Sequence, residues 1–366
     1  MAKPISPQKA MKAEMKARMG AKKQDARGGL IGHLDVQATR LSADDPDSFR
    51  LKHGWYVKNM NMYPAEQSLF DGELRDLIRA HVLPGHLPPA PMLDESQSVV
   101  TLGSCFAREL RLFLGLAGVK ASRFWIPSGL NNTFAILDFF SWCITGEQTS
   151  RGHRYERNAE GEIREWTPET EREEYMKALT ETGAFVFTLG LAEVWQDRQT
   201  EAVFWRGVPR DVYDADRHVF RLTTVDENAE NLRQIVALVR RVNPHAPIVF
   251  TLSPVPLLAT HRDISCLTAD CVSKSVLRVA LDQMMADRAP GVFYWPSFEI
   301  VKWVGATLPW SAYGDGGNAR NVDRRIVFEI IDAFVESYYT PDAAERLRAQ
   351  RDAAPAAAAG AEDASE

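Results

Sequence analysis

The stretch SVVTLGSCFARELRLFLGLA, residues 98–117, changes its apolar period part-way along. Val99, Val100 and Leu102 form a short run of branched apolar residues bounded by Ser98 and Gly103, the pattern of a buried strand. From Phe106 the apolar residues return at three- and four-residue steps (Leu110, Phe113, Leu114, Ala117), the period of a helix packed on one side. A strand that turns over a glycine straight into a helix opens an α/β unit. Working outward, the alternation recurs. Strands are predicted at Ala184–Leu189, Pro247–Leu252 and Gly291–Tyr294, with helices at Thr133–Thr145, Glu227–Val242, Ala269–Asp287 and Val322–Tyr338. Such alternation implies a mainly parallel sheet covered by helices on both faces. Between Trp195 and Thr224 the pattern breaks into hairpin-like pieces, read as an insertion at about 196–224.

Composition narrows the class. The chain has 366 residues, 45% hydrophobic and 25% charged, an ordinary globular balance. No run of about 18 apolar residues is present, so no transmembrane segment is predicted. The basic start lacks the apolar core of a secretory leader. Four cysteines without a CxxC pair suggest neither a disulfide scaffold nor a zinc site. A net charge of −6 offers no general attraction to nucleic acid. The expectation is a cytoplasmic protein without a metal or cofactor. Residues 1–44 read as a basic extension, partly disordered, with eight Lys/Arg against two acidic residues in the first thirty. Residues 45–340 read as the folded domain and 341–366 as a disordered, Ala-rich tail.

In parallel sheets ligands gather at the carboxyl ends of strands. Gly103 lets the chain leave its strand sharply, and Ser104 and Cys105 then fall at a helix N-terminus. Free N–H groups and the positive end of the helix dipole lower a thiol's pKa and steady an oxyanion, so the pair is a nucleophile candidate. The structural alternative is a Ser104 helix cap followed by a small buried cysteine. The spacing Cys105-x5-Arg111 matches cysteine-dependent phosphatases, but the intervening Phe-Ala-Arg-Glu-Leu favours a helix over a phosphate loop.

The residues Gly103-Ser104-Cys105-Phe106-Ala107 spell GSCFA, and the chain here resembles the GSCFA-domain proteins, grouped with the SGNH (GDSL-like) hydrolases. The resemblance continues at Asn131-Asn132-Thr133-Phe134, Thr188-Leu-Gly-Leu-Ala-Glu-Val-Trp195, Thr251-Leu-Ser-Pro-Val-Pro-Leu257 and Pro296-Ser-Phe-Glu-Ile300, and spans about Ser98 to Tyr339. It implies a three-layer α/β/α SGNH-hydrolase-like fold with the nucleophile just after the first strand. In register with the superfamily's Gly-Asp-Ser, Cys105 takes the nucleophile position; a slip of one gives it to Ser104. Gly129 matches the glycine N–H donor of the oxyanion hole. The Gly-x-Asn-Asp block becomes Gly190-Leu191-Ala192-Glu193, so Ala192 cannot donate from its side chain, and Asn131 or Asn132 is the candidate substitute. The alternative for that pair is a turn and a helix cap.

The largest departure concerns the base. The superfamily carries Asp-x-x-His before its last helix. Asp315 keeps its place, while Asn318 fits the histidine of that spacing and Asn321 the histidine of an Arg-His-Val pattern. Neither asparagine accepts a proton. His261, after the Ser-Pro-Val-Pro block, is the candidate alternative base, and His153, His218 and His245 read as solvated. Trp125, Trp195, Trp205, Trp295, Trp303 and Trp310 suggest a sugar platform, with Glu193 and Glu299 as partners of sugar hydroxyls; core packing is the alternative. The resemblance thus implies an esterase, deacylase or O-acyltransferase acting on a saccharide or polysaccharide precursor, with an acyl donor as possible second substrate. The competing expectation is a non-catalytic glycan- or partner-binding relative.

Overall fold

A computed structural model describes residues 38–40, 49–51, 72–103, 105–119, 130–146, 154–157, 161–166 and 172–353. At 38–40, 49–51, 105, 154–157 and 164–166 it describes the backbone alone. The chain divides into two compact units, Met1–Ala65 and Glu66–Glu366. In the first, β1 (Ala38–Arg40) pairs antiparallel with β2 (Phe49–Leu51). That pairing joins residues on both sides of the expected 44/45 boundary.

The second unit opens with α1 (Leu74–His81), which buries Leu74, Leu77 and Ile78. Then come β3 (Val99–Gly103), α2 (Cys105–Leu116) and α3 (Thr133–Thr145). The hairpin β4 (Arg154–Arg157) and β5 (Ile163–Trp166) follows, and α4 (Arg172–Glu181) leads into β6 (Ala184–Leu189). After the hairpin β7 (Glu193–Asp197) and β8 (His218–Leu222), α5 (Val225–Val242) leads into β9 (Ile248–Leu252). The chain continues through α6 (Cys266–Met285), β10 (Val292–Trp295), α7 (Arg324–Tyr338) and α8 (Pro341–Ala353).

β3, β6, β9 and β10 form one parallel sheet in the order β10-β9-β6-β3, so the fold is α/β as expected. The two-residue period sorts the strand side chains into two cores. Phe185, Phe187 and Leu189 of β6 join Val100, Phe250 and Tyr294 under α3, α5 and α6. Ala184 and Val186 join Val99, Val249 and Trp295 under α1, α2, α7 and α8. Fully buried Phe187 stacks on Phe250 with ring centres 5.1 Å apart, filling the first core where neighbouring strands meet.

Three sequence expectations change. Residues 341–353 are not tail: α8 buries Ala343, Ala344 and Leu347, and Arg351 Nη1 reaches Asp332 on α7 at 2.6 Å. Its apolar stripe is too narrow to stand out among Arg, Asp and Gln. The insertion also starts earlier than 196, because Glu193–Asp197 is itself the partner of His218–Leu222. At its outer end burial would raise the Asp197 pKa, but Arg217 and the Thr200 and Gln199 amides outweigh it and hold the carboxyl at about 2. His218 is buried and accepts the Asp214 N–H at Nδ1, so it is not the solvated residue expected.

Candidate active site

β3 ends at Gly103 with φ +111°, a left-handed conformation. A Cβ there would overlap the carbonyl oxygen of Thr188 and stand 2.8 Å from its carbon. Glycine is therefore required both for the turn and for the approach to β6. Helix α2 begins at once, at Cys105, which removes the phosphate-loop reading of Cys105-x5-Arg111. Ser104 and Gly129 lie outside the described residues, and only the backbone of Cys105 is described.

On the face carrying α2 and α7, the register aligns Gly103 with Thr188, Thr188 with Thr251, and Thr251 with Trp295. The carboxyl end of the sheet therefore presents a row of hydroxyls at the foot of the GSCFA turn. Thr251 Oγ1 lies 2.6 Å from Ser297 Oγ, which donates to the Leu252 carbonyl. Thr188 Oγ1 is buried without a partner among the described residues.

Beside this row lies a cleft of about 220 Å³. One wall is the first two turns of α2, with Phe106, Arg108, Glu109 and Leu112. Opposite stand Arg324, Val327 and Ile330 of α7. Pro254, Val255, Ser297, Val301, Asp315, Asn321 and Val322 complete the lining. Glu109 Oε1 accepts from Arg108 Nη2 at 3.1 Å. The lining mixes apolar side chains with the charged Arg108, Glu109, Asp315 and Arg324.

The 312–323 loop is pinned to the cleft by its own backbone and by two side chains. Gly314 N–H donates to Asn321 O and Asp323 N–H to Ala312 O, closing the loop at its base. The Tyr313 hydroxyl donates to Pro254 O at 3.0 Å, and Arg320 donates through Nε and Nη2 to Pro256 O at 3.1 and 2.8 Å. Asn321 Nδ2 donates to the Asp315 carbonyl at 3.3 Å. Asn318 is exposed, does not line the cleft, and accepts the Arg320 N–H.

The other sequence candidates serve different ends. Asn132 caps α3, accepting the Ala135 N–H. Asn131 accepts Gly190 N–H at 2.7 Å through its carbonyl, which occupies the Gly190 donor; its own Oδ1 is buried without a partner among the described residues. Lys274, buried on α6, donates to Gly190 O at 2.8 Å, and Ser273 Oγ accepts from Ala192 N–H. These bonds fix the 190–192 turn. Glu193 is buried and paired with Arg262 at 3.3 Å.

His261 lies outside the cleft lining, its ring against Trp195 and Phe220 at 4.7 and 5.0 Å, where it fastens the 254–265 loop to the β7–β8 hairpin. Of the tryptophans, Trp205 and Trp295 are buried, Trp205 donating to Asp138, and Trp125 lies outside the described residues with His153. Glu299 is held by Arg278 and the Tyr294 hydroxyl, which supports a structural role. Among the described residues no three His, Cys, Asp or Glu side chains are grouped as metal ligands. No described helix is long and apolar enough to cross a membrane.

The sequence reading missed Arg108, Glu109, Ser297, Arg324 and the anchor Arg320. For the first pair a signal existed: positions three and four after Cys105 share its helix face.

The GSCFA family model matches residues 98–334, from the first strand of the sheet to within α7. The chain belongs to the GSCFA family. No curated protein matches it. The match covers every cleft-lining residue, so the cleft lies wholly within the family's shared region of this GSCFA protein.

Proposed function

We propose that this GSCFA protein handles acyl groups in the manner of an SGNH hydrolase, as an esterase, deacylase or O-acyltransferase. The acyl group passes to the thiol of Cys105, with Ser104 as the nucleophile if the register slips. One observation carries the reading. The first turns of the GSCFA helix and the Asp315–Asn321 loop, about 200 residues apart in sequence, line one cleft. A nucleophile turn facing the loop before the last helix is the geometry that acyl transfer on such a scaffold requires. The backbone at the start of α2 and Asn131 are the candidate oxyanion donors. The substrate, carried over from the resemblance, is an acylated saccharide or polysaccharide precursor. Burial of Trp205 and Trp295 withdraws those two rings from any sugar platform.

A second reading, a binding module without turnover, draws on the asparagines at 318 and 321. The two are separated by restoring histidine. Asn321 lines the cleft and Asn318 does not. Hydrolysis of p-nitrophenyl acetate is expected to rise about 100-fold or more in Asn321→His, a typical general-base contribution. Asn318→His should leave it near the starting level. Background hydrolysis in both favours the binding module.

A further inference from the structure

Resting on the reading above, we propose that Glu109 is the proton-transfer group of the cleft, standing in for the histidine that positions 318 and 321 lack. Of the described cleft-lining side chains only Glu109 and Asp315 carry a carboxylate, the proton acceptor this step needs. The arginines cannot accept a proton, the asparagine amides are not basic, and the Ser297 hydroxyl already donates to Leu252.

Helix geometry separates the two carboxylates. α2 runs unbroken from Cys105 to Leu116. At about 100° per residue, position 109 falls about 40° from position 105 and one turn above it. Residues so spaced have Cβ atoms about 5–6 Å apart, within reach of a glutamate's flexible stem. Phe106, Arg108 and Leu112 line the cleft on either side of that direction, so position 105 lies inside the same arc. Asp315 belongs to a glycine-rich turn of the 312–323 loop rather than to the helix that carries Cys105.

The step balances as follows. The Glu109 carboxylate takes the proton of the Cys105 thiol as sulfur bonds to the ester carbonyl carbon. The tetrahedral intermediate expels the alcohol oxygen, which takes the proton back from Glu109 and leaves a thioester. Water, or an acceptor hydroxyl, then gives its proton to Glu109 as its oxygen adds to the thioester carbon. The departing sulfur recovers that proton.

The test is the pH dependence of acylation by p-nitrophenyl acetate, read as the p-nitrophenolate burst and as intact mass. The full chain is compared with Glu109→Gln, Glu109→Asp and Asp315→Asn, with matched thermal melts. Between about pH 5.5 and 7.5 carboxylates are ionised and ordinary thiols are protonated. The unaltered protein should therefore acylate at a nearly constant rate across that range. Glu109→Gln should be about tenfold or more slower at pH 6 and rise toward the unaltered rate as the thiol ionises, since only preformed thiolate then reacts. Glu109→Asp should recover part of the rate and the flat profile, which a merely structural role would not produce. An unchanged rate and profile in Glu109→Gln overturns the proposal while leaving the acyl-enzyme reading intact. So does transfer of the rising profile to Asp315→Asn. Absence of any acyl adduct on the unaltered protein overturns the acyl-enzyme reading and Glu109 with it.

Discussion

Gly103 carries the tightest constraint at the site. Its φ of +111° costs a residue with a side chain about 1–3 kcal/mol, and its missing Cβ leaves room for the Thr188 carbonyl. Gly103→Ala must therefore push β3 from β6 or re-aim the chain where α2 begins. The expected result is a loss of at least about 2 kcal/mol in chemical denaturation, together with loss of acylation. An alanine variant with unaltered stability and acylation would show that the turn is not held as described. The two asparagines of the second family block show how chemically equal neighbours divide their work. Asn132 spends its side-chain oxygen on the α3 cap, while Asn131 keeps a buried oxygen without a partner among the described residues, next to the GSCFA strand's neighbour β6.

At the scale of elements, α8 makes the sharpest test of the architecture. Leu347 is fully buried in the core shared by α1, α2 and α7, so Leu347→Ala should cost about 2–5 kcal/mol in denaturant unfolding. Leu258, 77% exposed, should lose less than about 0.5 kcal/mol on the same change. Equal effects would mean that α8 does not pack as described. The four core strands were legible in the sequence because each is a short run of branched or aromatic residues buried on both faces, as in AFVFTL and IVFTL. The helices between them were legible because their apolar stripes are wide. α8 was not, since its stripe is one leucine and two alanines among charges. β7 was not, because Glu-Val-Trp-Gln-Asp mixes a buried glutamate and aspartate with its apolar residues and their partners lie across the hairpin. At the site, glycine and the residues after each strand were legible. Arg108 and Glu109 carried a signal in sharing the helix face of Cys105, but a charged pair in a helix's first turns reads as a solvated face until α7 is seen to line the same cleft.

At the scale of the whole molecule, a one-directional parallel sheet lays the GSCFA turn, the hydroxyl row and the SPVP loop along one edge. The 312–323 loop, which leads into α7, then lines the same cleft as α2. Two loops remote in sequence are held by hydrogen bonds from Tyr313 and Arg320 to Pro254 and Pro256, so the cleft depends on the complete fold rather than on one motif. This assembly is the basis for reading the protein as an enzyme of acyl groups, despite asparagine where a histidine would stand. The most direct test is intact-protein mass after brief exposure to p-nitrophenyl acetate, for the unaltered chain and for Ser104→Ala and Cys105→Ala. A single acetyl adduct, retained in Ser104→Ala and lost in Cys105→Ala, is the expected result. No adduct on any of the three would contradict the acyl-enzyme reading and leave the cleft as a binding site.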